Sequence, residues 1–253
     1  DLSLDFGGGE VQELLVNGEP VRPVNYNGFY ISVPESLQKE GANSVLVKYT
    51  RAYSKNGTGL YKYVDVKDGR SYLYSHFEPY DANKMFPCFD QPNLKATYTV
   101  KVLAPKGWHV ITSVRETEKV EKGDLEEWYF PRSAKFSTYT FSLHAGEYEV
   151  WEDVAKTKNQ EIPLRLFARK SLAQYVKVDD WMTWTKNGFV FYEKQYSYPY
   201  PYVKYDQVIV PDFNFGAMEN VASVTYNEDR FVLKGEKTRS QRRGLAWTLL
   251  HEM

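Results

Sequence analysis

Cysteine is almost missing from this 253-residue chain. Cys88 stands alone, which excludes an internal disulfide framework and fits the cytoplasm, the compartment expected here. Net charge is missing too. The 32 Lys and Arg against 33 Asp and Glu leave −1, so nothing points to nucleic acid or an anionic membrane as a partner. No apolar run approaches the roughly 20 residues that cross a bilayer as a helix. Internal repeats and low-complexity linkers are lacking, as is a basic-then-apolar leader pattern. The chain opens at Asp1 on the alternating Leu2, Leu4 and Phe6, and Met253 lies in a helical pattern without a capping glycine or proline. These features lead us to expect a stretch of something longer.

Aromatic residues, by contrast, are plentiful. At 16% of the chain, with 21 tyrosines, they favour β-rich packing. Strand-like alternation runs through residues 11–16, 44–53, 70–77, 94–103, 108–114, 126–130, 138–143 and 147–151. Asn17-Gly18 marks a turn, and Lys55-Asn56-Gly57-Thr58-Gly59 reads as a hairpin signal. Residues 1–150 are therefore expected to form an antiparallel β-sandwich domain. Residues 151–253 read as α/β. Here a strand at 162–168 is followed by a helix at 172–196, with Ser171 as its N-cap and Gly188 weakening its middle. Strands at 206–210 and 222–226 come next, and a last helix starts near Thr238.

Between those last two strands lies Gly216-Ala217-Met218-Glu219-Asn220. Gly216 removes a side chain where another backbone approaches, and Glu219 sets a carboxylate beside extended main chain. Such an edge suits a peptide that pairs through its backbone while the carboxylate holds its free amino end. Taken alone, a Gly-x-x-Glu is as well read as a glycine-containing strand with one solvated glutamate. A second constellation, residues 72–79 and 86–92, contains His76, Glu78, Cys88 and Asp90 and reads by itself as a strand, a loop and a proline-set turn. The final helix ends Leu249-Leu250-His251-Glu252-Met253, the first half of the H-E-x-x-H pattern that places two imidazoles four residues apart on one helical face.

The complete pentapeptide resembles the exopeptidase signature of the zinc aminopeptidases typified by aminopeptidase N, and the likeness extends over nearly the whole chain. It implies an α+β fold, with a saddle-like β domain followed by the first part of a thermolysin-like catalytic domain. It also implies one zinc ion in the longer protein and peptides with a free N-terminus as substrates. By the same resemblance His251 is the first metal ligand and Glu252 the general base. Glu78 and Glu219 jointly bind the substrate α-ammonium, Gly216 and Ala217 line its backbone, and Met218 sits near the first side-chain pocket. His76 departs from the family, where many relatives carry glutamine. Its imidazole is expected either to reshape that pocket or to make binding sensitive to pH near the ordinary value of ~6.5, unless it is simply a hydrogen-bonded strand residue. His109 and His144 show no ligand spacing and read as structural.

Two readings compete with a plain aminopeptidase. In a bifunctional enzyme like leukotriene A4 hydrolase, glutamine stands where this chain has Glu78. A non-catalytic scaffold of the same fold loses the signature residues that are present here.

A catalytic zinc site needs three protein ligands and a water, and one imidazole does not hold the metal at ordinary free concentrations. This chain by itself is therefore expected to bind no stoichiometric zinc through His251 and to hydrolyse nothing. Calorimetric zinc titration checks this; a tight one-to-one site abolished by His251→Ala would contradict it.

Overall fold

A computed structural model describes residues 2–253. The fold is α+β. Its sheets are mostly antiparallel, and its α-helices among the described residues are α1 (Val178–Tyr196), α2 (Glu228–Phe231) and α3 (Arg239–His251). The chain forms two compact units built from interleaved stretches. The first comprises the residues up to Tyr61, Ser75–Ala96 and Phe136–Phe141; the second comprises Lys62–Tyr74, Thr97–Lys135 and Ser142–Met253.

In the first unit, Leu2–Asp5 pairs antiparallel with Tyr30–Val33, and Glu10–Val16 lies between Glu19–Pro20 and Val45–Thr50. Alternation buries one side of these strands, so Leu4, Phe6, Leu14, Val16, Ile31 and Val33 make a common core. Asn17 and Gly18 turn the chain at φ +54° and +89°, as a two-residue turn between right-twisted strands requires.

The expected hairpin at 55–59 is not one. Val45–Thr50 pairs with Glu10–Val16, while Gly59–Val64 enters a different sheet. Asn56 instead makes a local side-chain turn, accepting from the Ser54 and Thr58 hydroxyls. Residues 138–143 also differ from expectation. Thr138–Thr140 is a single 3₁₀ turn, and the strand begins at His144.

The second unit holds a five-stranded sheet in the order Tyr148–Lys156, Glu161–Arg169, Tyr205–Val210, Ser223–Asn227, Ala217–Met218. Its outer pairs are antiparallel and its two inner pairs parallel. The central strand, Tyr205–Val210, is buried throughout, as a parallel strand covered on both faces must be. Helix α1 packs on this sheet through Trp181, edge-on to Tyr226 at 5.0 Å, and Phe189, edge-on to Tyr205 at 5.1 Å. Gly188 has a packing reason: a Cβ there would meet Met253 Sδ at 2.5 Å and Leu250 Cδ2 at 2.7 Å, so its bareness lets the end of α3 approach α1. Tyr192 fixes the same approach by donating to the Leu250 carbonyl at 2.8 Å. The helix starts at Val178, later than 172, because Ser171 is occupied elsewhere. Its hydroxyl joins Arg169 and Asp65. Helix α3 starts where its sequence says, on a Thr238–Gln241 capping box.

One ionic cluster is buried beside the central strand. Asp206 accepts from Arg165 Nε and Nη2 at 2.9 and 2.6 Å and from Lys204 Nζ at 2.8 Å. Lys204 gives its other protons to the carbonyls of Thr112 (2.6 Å) and Ala222 (2.7 Å), so all three are used. Burial alone would raise the Asp206 carboxyl, but Lys204 and Arg165 outweigh it and hold the group below its ordinary range. Removing the carboxylate leaves buried Lys204 with carbonyl partners alone and Arg165 with only the longer contact to Glu116 at 3.3 Å. Asp206→Ala is thus expected to destabilise the chain by about 3–5 kcal/mol in urea unfolding; a loss below ~1 kcal/mol would show that the cluster is not holding the sheet.

Candidate functional site

The edge of the five-stranded sheet is the two-residue strand Ala217–Met218, whose partners are Ala217↔Tyr226 and Met218↔Thr225. The hydrogen bonds place its backbone groups. Asn227 N donates to the Gly216 carbonyl at 3.0 Å, so Ala217 and Tyr226 form a non-hydrogen-bonded pair. In such a pair the amide and carbonyl of Ala217 turn away from the sheet, onto the outer side of the edge. Gly216 and Ala217 are half-buried, Met218 is 1% exposed, and the Glu219 side chain is exposed.

The loop leading into this edge is clamped by Asn227, a residue the sequence did not single out. Its Nδ2 donates to the carbonyls of Phe213 (2.6 Å) and Phe215 (3.1 Å), while its Oδ1 caps α2 by accepting from Arg230 N at 3.1 Å. The clamp brings the Arg230 guanidinium against Gly216, where a Cβ would come within 2.7 Å of Nη1. A side chain at Gly216 would therefore displace the arginine or the edge. On the exit side Asn220 is 1% exposed and its N–H donates to the Met218 carbonyl at 2.9 Å, turning the chain straight after Glu219.

The end of α3 belongs to the same unit. His251 is exposed and stacks on Trp247 one turn earlier, with ring centroids 5.0 Å apart. Glu252 is the half-buried C-cap, its N–H donating to the Thr248 carbonyl at 3.1 Å. The Glu252 charge lies near enough to Tyr205 and Tyr226 to help burial raise both phenols, whose hydroxyls are 3.4 Å apart. Tyr226 thus links two of the expected site elements: it is opposite Ala217 in the sheet and within the field of Glu252. No group of three His, Cys, Asp or Glu side chains poised for a metal occurs among the described residues.

The remaining expected residues lie in the first unit. Glu78 is exposed, directly after the buried Phe77, which packs between Phe86 and Phe141. The turn behind it closes through Asp81 N donating to the Phe77 carbonyl at 2.7 Å. Asp90 anchors the following loop, accepting from Asn83 N, Asn83 Nδ2 and Thr138 Oγ1 at 2.8–2.9 Å. Its role was invisible in the sequence because its partners are 7 and 48 positions away. Cys88 is half-buried, and burial pushes its thiol up, away from reactivity. His76 is 1% exposed, and burial, opposed by Asp81, pushes its imidazole down to about 4. The sensitivity expected near pH ~6.5 is therefore displaced: His76 is already neutral there.

Comparison with known proteins identifies a family. The family model described as the peptidase M1 N-terminal domain matches residues 20–140, and that described as the peptidase family M1 domain matches residues 181–253. The chain is 35% identical to aminopeptidase N of Streptomyces lividans over 98% of its own length and 29% of that protein. It is 30% identical to glutamyl aminopeptidase of Bos taurus over 85% of its length and 22% of that protein. To a probable M1 family aminopeptidase of Encephalitozoon cuniculi it is 29% identical, over 88% of the chain and 26% of the relative. The chain therefore spans less than a third of these relatives.

Buried His76 gives a measurable pH dependence. Its folded value of about 4 lies below the ordinary ~6.5, so between the two the unfolded chain binds more protons. Stability is expected to be full above about pH 6.5 and to fall as pH drops towards 4, with His76 accounting for roughly 3 kcal/mol of the loss. Urea midpoints at pH 7 and 4.5 check this: His76→Gln should flatten the decline, and an unchanged decline would contradict the assignment.

Proposed function

This chain belongs to peptidase family M1, and we propose that the protein carrying it is a zinc-dependent aminopeptidase that removes residues from the free N-terminus of peptides. The observation that carries this reading is the pairing of an outward-facing Ala217 backbone with the exposed carboxylate of Glu219 on the next turn of the chain.

An extended peptide adds to such an edge as one more strand, its main chain exchanging hydrogen bonds with Ala217. The bareness of Gly216 lets the Arg230 guanidinium stand against the start of this edge. At the end of that strand the Glu219 carboxylate receives the α-ammonium. Glu78 supplies the second carboxylate, as the family resemblance implies. Two carboxylates repel each other, and a cation between them relieves the repulsion and gains charge-assisted hydrogen bonds of roughly 1.5–3 kcal/mol each. An internal peptide segment brings no ammonium and leaves those carboxylates desolvated and unmatched. Selectivity for chain ends follows from that penalty.

The family implies zinc, which activates the attacking water in the whole protein. In that setting His251 would be one metal ligand and Glu252, half-buried with Tyr205 and Tyr226 in its field, would be the general base. By the same resemblance Met218, which is buried, sits near the first side-chain pocket.

The test is made on the full-length protein with an aminoacyl p-nitroanilide and its N-acetylated counterpart. Wild type is expected to cleave only the free-amine substrate. Glu219→Gln and Glu78→Gln should each lower kcat/KM by about 10- to 100-fold, mainly through KM. Equal cleavage of both substrates, or unaffected variants, would contradict the reading.

A further inference from the structure

His144 belongs to no recognition motif, yet it lies directly beneath the substrate edge. It stands in the strand His144–Gly146, paired with Tyr74 on one side and Ile111 on the other, and is fully buried. Its Nε2 lies 2.9 Å from the Thr225 hydroxyl, which in turn donates to Asn220 Oδ1 at 2.8 Å. Thr225 has a single proton. Spending it on Asn220 leaves the hydroxyl to accept from the imidazole, so the ring carries its hydrogen on Nε2. Nδ1, buried with no partner, is then the bare acceptor nitrogen. Burial, reinforced by Lys204, pushes the imidazole down to about 3, so it stays neutral with one proton to donate.

The chain of donors ends at Asn220, the residue after Glu219. Main-chain bonds hold Asn220 as well: its N–H reaches the Met218 carbonyl at 2.9 Å, and its carbonyl accepts from Ser223 N at 3.1 Å. With both side chain and backbone fixed, the turn has one geometry. The direction in which Glu219 leaves the edge is set by that turn. Thr225 is also the sheet partner of Met218, so the same threonine registers the strand and relays the hydrogen bond.

We propose that His144 is a positioning residue for recognition of the peptide N-terminus, acting through Thr225 and Asn220 to aim the Glu219 carboxylate. The proposal rests on the aminopeptidase reading above. It differs from a structural role in what is lost without it. A core histidine supports folding in general, whereas a positioning histidine supports the affinity for an amine.

The experiment uses the full-length protein and two inhibitors, leucine hydroxamate and 4-methylpentanoyl hydroxamate, which lacks the amine. His144→Leu removes the donor at similar volume. It is expected to weaken the amine-bearing inhibitor about tenfold, the scale of one hydrogen bond, and to leave the amine-free inhibitor within about threefold. His144→Gln, whose amide reaches where Nε2 stood, should restore most of the difference. Thr225→Val breaks the same relay midway and should reproduce the effect even if the leucine variant fails to fold. Equal weakening of both inhibitors, or of neither, overturns the proposal while leaving the enzyme an aminopeptidase. A wild type that cleaves blocked and free substrates alike overturns the underlying reading, and this proposal with it.

Discussion

The register of one strand pair organises the candidate site. Because Ala217 faces Tyr226 as a non-hydrogen-bonded pair at the edge of the sheet, its amide and carbonyl look outward. Exposed edges invite unwanted pairing, and proteins usually keep them short or charged. Here the edge strand has two residues and is followed at once by the carboxylate of Glu219. Brevity and charge are the features that keep such an edge from pairing with another protein's strand.

An edge so short has little rigidity of its own, and the surrounding structure supplies it. Asn227 grips the loop before it, and the Asn220 turn closes it behind. Deeper still, Lys204 fixes the carbonyl of Ala222, a residue held at φ +58°, while neutralising Asp206 together with Arg165. Buried ion clusters of this kind are poor sources of net stability. Their value here is geometric, since one ammonium with three fixed acceptors ties the central strand to the return from the edge. The Tyr226 ring, pinned edge-on by Trp181, carries the same order towards Glu252 at the end of α3.

What could be read from the sequence was local or literal. The Asn17-Gly18 turn and the start of the last helix near Thr238 follow from short-range chemistry, and both stand where expected. The α+β class and the family follow from the strand-rich first part and the pentapeptide. Misreadings arose where distant partners won. Ser171 looks like an N-cap, but Asp65 and Arg169 take its hydroxyl; residues 55–59 look like a hairpin, but the preceding strand pairs with Glu10–Val16. The supports of the candidate site were hidden for the same reason. His144 and Thr225 are 81 positions apart, and no periodicity announces a hydrogen bond over that distance.

The central claim is that a peptide's amino end is read by a carboxylate beside an open strand edge. A crystal structure of the full-length protein with an amine-bearing, uncleaved dipeptide analogue tests it most directly. The account requires the ligand's main chain to hydrogen-bond with Ala217 and its ammonium to sit on the Glu219 carboxylate. A ligand bound with its amine away from Glu219, or an Ala217 edge already covered by another strand of the same protein, would contradict it.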